Sequence, residues 1–148
     1  MSVSDHIKIR FPARVENEGF ARTAAAAFIS KADPRVDELA DIRTAVSEAV
    51  TNAVVHAYRE TDGLISMTIK LTEYREVIIH IRDKGCGIED IEKAMTPLYT
   101  TAENEERSGL GFSVMESFMD KVSVKSEAGK GTCVCMRKKL SAGTDAEG

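Results

Sequence analysis

The chain has 148 residues, enough for one domain that buries a core without disulfides or a structural metal. Lys and Arg number 20 against 24 Asp and Glu, and the resulting charge of −4 matches a phosphate backbone poorly, so direct nucleic-acid binding is not expected. The longest apolar run, Ala24 to Ile29, is too short to span a membrane. The charged start lacks an apolar signal core, and Cys86, Cys133 and Cys135 suit neither a disulfide framework nor a zinc site. A cytoplasmic setting is expected.

From His6 to Phe11 the chain alternates, with Ile7, Ile9 and Phe11 on one side, which predicts a strand. Asn17 reads as the cap of a helix to about Lys31, with Phe20, Ala24, Ala27 and Phe28 as its apolar stripe. A long helix is predicted from Pro34 to Tyr58, with its stripe running from Val36 and Leu39 through Ile42, Val46, Ala49 and Val50 to Ala53 and Val54. Leu64 to Leu71 and Val77 to Asp83 alternate around Glu73-Tyr74-Arg75 and read as a hairpin. A short helix is expected near Glu89 to Met95. The stretch Met95 to Ser108 has no periodicity and reads as a functional lid or a flexible loop. Gly109 to Met119 reads as a helix, and Val122 to Ser126 and Thr132 to Lys138 as two strands around Gly129-Lys130-Gly131. Hairpins dominate, which implies a two-layer α+β sandwich with a mainly antiparallel sheet and helices on one face. Residues 1–140 are expected to form a single domain, and 141–148 a disordered tail.

Three polar features sit against this pattern. Glu48, Asn52 and His56 lie four residues apart and form one ridge at the edge of the long helix's apolar stripe. A carboxylate beside an amide can hold Mg²⁺ or orient a hydroxyl, although spacing alone favours a half-exposed polar edge with ordinary helix pairs. In Asp83-Lys84-Gly85-Cys86-Gly87, strand parity turns Asp83 inward, where a ligand amine or its own turn amides would satisfy it. Thr132 shares that inward parity. Arg107-Ser108-Gly109-Leu110-Gly111 reads as a Gly-rich turn opening a helix, suited either to a phosphate or to a plain hinge.

At these residues the chain resembles the GHKL ATPase/kinase superfamily. Glu48 to His56 resembles its N box, Asp83 to Gly87 its G1 box and Arg107 to Phe112 its G2 box. Ser47 to Tyr58, Thr96 to Thr101 and Met115 to Asp120 are most similar to the sporulation anti-sigma serine kinases, with the sigma-B-type kinases as neighbours. The resemblance implies the Bergerat fold, with ATP held under a lid. It implies Asn52 as a Mg²⁺ ligand and Asp83 as acceptor of the adenine amino group. Gly85 and Gly87 would line the adenine and Thr132 would help hold it. Arg107, Ser108, Gly109 and Gly111 would hold the phosphates, with Thr100 and Thr101 nearby. Glu48 would take the proton of a serine hydroxyl, and Arg22 would contact a partner. The partners implied are a sigma factor, a serine-bearing anti-anti-sigma factor and a second copy of the chain.

Overall fold

The computed structural model describes residues 3–58, 63–84, 105–127 and 131–141. Five strands form one sheet: β1 (Val3–Pro12), β2 (Leu64–Thr72), β3 (Glu76–Asp83), β4 (Lys121–Glu127) and β5 (Gly131–Lys139). Their order is β1-β2-β3-β5-β4, and every pairing is antiparallel. The helices are α1 (Asn17–Ile29), α2 (Val36–Asn52) and α3 (Glu105–Phe118). The α+β sandwich read from the hairpins is therefore the observed fold.

The core lies between the layers. Ile65, Met67 and Ile69 of β2, Ile79 and Ile81 of β3, and Val134 and Met136 of β5 face it. Ala21, Ala25, Phe28 and Ile29 of α1, Ile42, Val46, Ala49 and Val50 of α2, and Phe112 and Met115 of α3 close it. The phase of α1 differs from the expected stripe. Phe20 is 56% exposed and stacks edge-on against Phe11 at the rim, 6.5 Å between ring centroids, while Ala21 and Ala25 are inside. α1 packs chiefly against α2, and small alanines fit that buried side. The stripe of α2 is sound from Ile42 onward, but Val36 is 88% exposed.

Four helix boundaries correct the expectation. Asn17 does not cap α1: it is the first helical residue, and its Nδ2 donates to the Pro12 carbonyl at 2.8 Å, closing the strand–helix connection. The second helix starts at Val36, not Pro34. Arg35 is extended at the cap and donates its N–H to Glu38 Oε1 at 2.9 Å. It also ends as an α-helix at Asn52, and Ala53–Tyr58 continue as a π turn. Finally, α3 begins at Glu105, inside the stretch expected to be irregular. The helix therefore runs through Gly109 and Gly111 instead of opening after a glycine turn. The helix expected near Glu89 to Met95, the middle of the proposed lid and the tail after Ser141 lie outside the described residues.

A buried carboxylate fastens the end opposite β3's Asp83. Glu38 is 5% exposed, and its Oε2 accepts the Ser141 N–H at 2.8 Å. Arg75, at the tip of the β2–β3 hairpin, donates to the Ser141 and Ala32 carbonyls, each at 2.7 Å. Burial alone raises the Glu38 pKa, but the Arg35 and Ser141 N–H groups outweigh it and hold the group below its usual 4.5. Its contribution is therefore present above about pH 4.5 and is lost as pH falls through the folded value. We expect Glu38→Gln to lower stability at pH 7 by about 1.5–3 kcal/mol, the range for hydrogen bonds to a charged group. Urea unfolding from pH 7 to 3.5 checks this. The gap between parent and variant closes toward pH 3.5, and a constant gap would contradict the assignment.

The other sheet face carries Lys8, Arg10, Lys70, Arg82, Lys125 and Arg137, so the acidic net charge conceals a basic surface. His80 sits half-buried among them. Its pKa is lowered first by burial, then by Lys70, Arg137, Arg82 and Lys125.

Candidate functional site

At one end of the sheet, three polar residues form a row on the core side. The register pairs Asp83 of β3 with Thr132 of β5, and Thr132 with Ser126 of β4. Alternation puts them inside: Asp83 follows Ile79 and Ile81, Thr132 precedes Val134 and Met136, and Ser126 follows Val122 and Val124. Asp83 is 6% and Thr132 8% exposed. The Thr132 N–H donates to Asp83 Oδ1 at 3.3 Å, and the Thr132 and Ser126 hydroxyls lie 2.8 Å apart. The row is thus tied together within the sheet, and it carries more acceptor than donor capacity.

Gly131 lets the strands meet there. Its φ is +108°, and a Cβ would stand 2.3 Å from the Asp83 carbonyl oxygen and 2.7 Å from the Lys84 Cα. Only glycine has both the free backbone and the missing atom that this approach requires.

Asn52 is the last residue of α2, and the π turn after it packs on β3 and β5, the strands bearing Asp83 and Thr132. It is 8% exposed, yet neither its amide oxygen nor its nitrogen has a hydrogen-bond partner among the described residues. A buried, unpaired amide is destabilising, and such groups in native folds call for an explanation. Glu48, one turn earlier on the same ridge, is half-buried.

α3 packs along α2 and so brings the backbone of Arg107, Ser108, Gly109 and Gly111 to the same helical layer. Gly85, Gly87, Thr100 and Thr101 lie outside the described residues. Arg22 is placed on α1, where its Nε stands 3.4 Å from Glu18 Oε2 without hydrogen-bond alignment. Glu18 also accepts from the Ser47 hydroxyl, so Arg22 reaches α2 beside Glu48 through that carboxylate. The sequence reading brought Asp83 and Thr132 inward but missed Ser126 and the steric role of Gly131. Parity was the available signal for Ser126, the third inward polar residue at this end.

Residues 11–138 match a family model described as a histidine kinase-like ATPase domain. The chain is 49% identical to the anti-sigma F factor of Clostridium acetobutylicum, over 94% of this chain and 96% of that one. It is 51% identical to that of Clostridium beijerinckii, over 91% and 94%. Among solved structures, the RsbU and RsbW domains of Rv1364c from Mycobacterium tuberculosis superpose with a TM-score of 0.66 at 20% identity, covering 93% of this chain and 32% of that one. The mycobacterial sensor histidine kinase MprB superposes at 0.57 and 12% identity, covering 92% and 99%. The fold is thus that of the histidine kinase-like ATPase domains. The chain belongs to that family and, within it, groups with the anti-sigma F factors.

Proposed function

We propose that this chain is an anti-sigma factor that binds and inhibits a sporulation RNA polymerase sigma factor. As an ATP-dependent serine kinase it also phosphorylates, and so inactivates, an anti-anti-sigma partner. The observation that carries the reading is the Asn52 amide, buried at the end of α2 with no hydrogen-bond partner among the described residues, on the layer facing the Asp83–Thr132 row. A ligand that brings a metal ion and a purine answers both features at once.

The donor set fits such a ligand. The Asn52 oxygen is a hard, neutral ligand suited to Mg²⁺, which supplies charge neutralisation on the phosphates when bound. Asp83 accepts from the adenine amino group, and Thr132 supports the same edge, with water. Gly85 and Gly87 line the ring. Arg107, Ser108, Gly109 and Gly111 hold the phosphates, with Thr100 and Thr101 close by. The partner's serine oxygen attacks the γ-phosphorus, the bond to the β-phosphate oxygen breaks, and ADP leaves. Glu48 takes the hydroxyl proton. Little covalent work falls to the protein, so positioning and electrostatics dominate. Arg22 contributes to the partner-binding surface, and the chain acts as a homodimer in the cytoplasm. Among the described residues no helix is long and apolar enough to cross a membrane.

Glu48→Gln separates binding from transfer. We expect ATP affinity to stay within about threefold, while phosphoserine formation on an anti-anti-sigma protein falls by roughly 10²–10⁴, the span of general-base contributions. Mass spectrometry of the partner provides the readout. Transfer at the parental rate in the variant removes Glu48 from the base role, and no phosphoserine with the parent chain makes it a binding module only.

A further inference from the structure

We infer that the outer face of the sheet, away from the helices, is a docking surface that takes an acidic, extended segment of a partner protein. The inference stands apart from the nucleotide reading, whose sheet residues lie on the core side.

Alternation sends every second side chain of a strand to this face. On β1 these are Lys8 and Arg10, with Ile7, Ile9 and Phe11 turned to the core. On β2 they are Ser66, Thr68 and Lys70, and on β3 His80 and Arg82. The register sets them in rows: Arg10 beside Ser66 beside Arg82, and Lys8 beside Thr68 beside His80. One strand separates β1 from β3, so two basic walls stand about 10 Å apart over a floor of hydroxyls. These residues line an open groove of about 660 Å³. Cys133 of β5 and Lys125 of β4 continue the Arg10 row.

The charge on this face is largely unanswered. Arg137 is offset by Glu76, with Nη1 3.5 Å from Oε1. Lys8, Arg10, Lys70, Arg82 and Lys125 form no ion pair with any described residue. Lys70, Arg137, Arg82 and Lys125 also lower the His80 pKa, behind the larger effect of burial, so their fields overlap at the centre of the face. Like charges gathered on one face of a chain with net charge −4 call for an anionic partner.

Carboxylates on an extended peptide fit best. Same-side residues of such a peptide repeat every 6.5–7 Å or about that, which is also the repeat from Lys8 to Arg10 and from His80 to Arg82. Single-stranded nucleic acid is answered less well, because the outward strand positions carry no aromatic ring for a base to stack on. A duplex would run past the patch onto a chain of opposite preference, given the acidic net charge. A membrane surface calls for several apolar side chains beside the cations, and among the described residues the groove offers Leu64 alone.

The test follows the fluorescence anisotropy of a labelled peptide of about ten glutamates, long enough at ~3.3 Å per residue to cross the face. Comparison probes are an oligothymidylate of equal charge and phosphatidylcholine vesicles with about 30% phosphatidylserine. We expect saturable peptide binding that weakens at least fivefold as salt rises from about 50 to about 300 mM. Lys8→Gln with Arg10→Gln, and separately Arg82→Gln with Lys125→Gln, should each weaken it about tenfold, roughly threefold per exposed cation. Arg43→Gln removes an exposed cation from α2 instead and should change binding by less than about 1.5-fold, whereas a mere response to net charge would move it as well. No peptide binding, equal binding by the paired variants and the parent, or tighter binding of the oligothymidylate or the vesicles overturns the inference. So does a dimer of the chain that either pair of substitutions dissociates, which would give the face to a second copy.

Discussion

Asn52→Leu should make the ligand-free chain more stable, by about 1–3 kcal/mol, and abolish Mg-nucleotide binding. The two effects have one cause. In the free fold the amide is buried with both polar atoms unpaired among the described residues, so it forgoes its hydrogen bonds to water and gains none from those residues in exchange. Leucine is close in volume and removes that penalty, at the end of a helix whose neighbours Ala49, Val50, Ala53 and Val54 are all buried. In the proposed complex the same amide oxygen would hold the ion, so its loss would be felt there. Stability given up at a residue retained for ligand binding is the expected signature of a functional site. Urea midpoints and titration calorimetry check the pair of effects. A destabilised variant, or one that binds Mg-ATP like its parent, would show that Asn52 serves the fold.

Gly131→Ala should be among the most damaging single substitutions in the sheet. The added Cβ would stand 2.3 Å from the Asp83 carbonyl oxygen and 2.7 Å from the Lys84 Cα, both backbone atoms that no rotamer change can move away. The φ of +108° is itself strained for an L side chain. Relief requires β3 and β5 to part at the pair Asp83–Thr132. We expect a loss of about 3 kcal/mol, or roughly 6–12 °C in Tm for a domain of this size, and loss of nucleotide binding in whatever folds. Thermal unfolding followed by circular dichroism is the measurement. A change in Tm below about 2 °C would mean that the strand ends are looser than the geometry shows.

Much of the fold was legible because alternation and turn chemistry are local. The β2–β3 hairpin announced itself through Ile65, Met67, Ile69 and Leu71 facing Val77, Ile79 and Ile81, and the inward turn of Asp83 and Thr132 followed from the same parity. The phase of α1 was less legible, since Ala21 and Ala24 look alike in sequence and only tertiary packing decides which is covered. Asn17 has the right chemistry for a cap, yet the Pro12 carbonyl competed for its amide. The π turn after Asn52 has no periodic signature, because it arises from how residues 53–58 settle on β3 and β5. Ser126 carried an inward parity that was overlooked, and its meaning appears only when β4 is placed beside β5. For Arg107 to Gly111 the glycines argued for a turn, while the structure runs a helix through them.

Titration calorimetry of the parent chain with ATP and Mg²⁺, repeated with Asp83→Asn, bears most directly on whether the inward carboxylate and the buried Asn52 amide belong to one nucleotide site. The result predicted here is saturable binding of one nucleotide per chain, weakened by roughly 10- to 150-fold in Asp83→Asn, as loss of a charged hydrogen bond implies. Absence of saturable heat with the parent, or equal affinities for the two proteins, would contradict it.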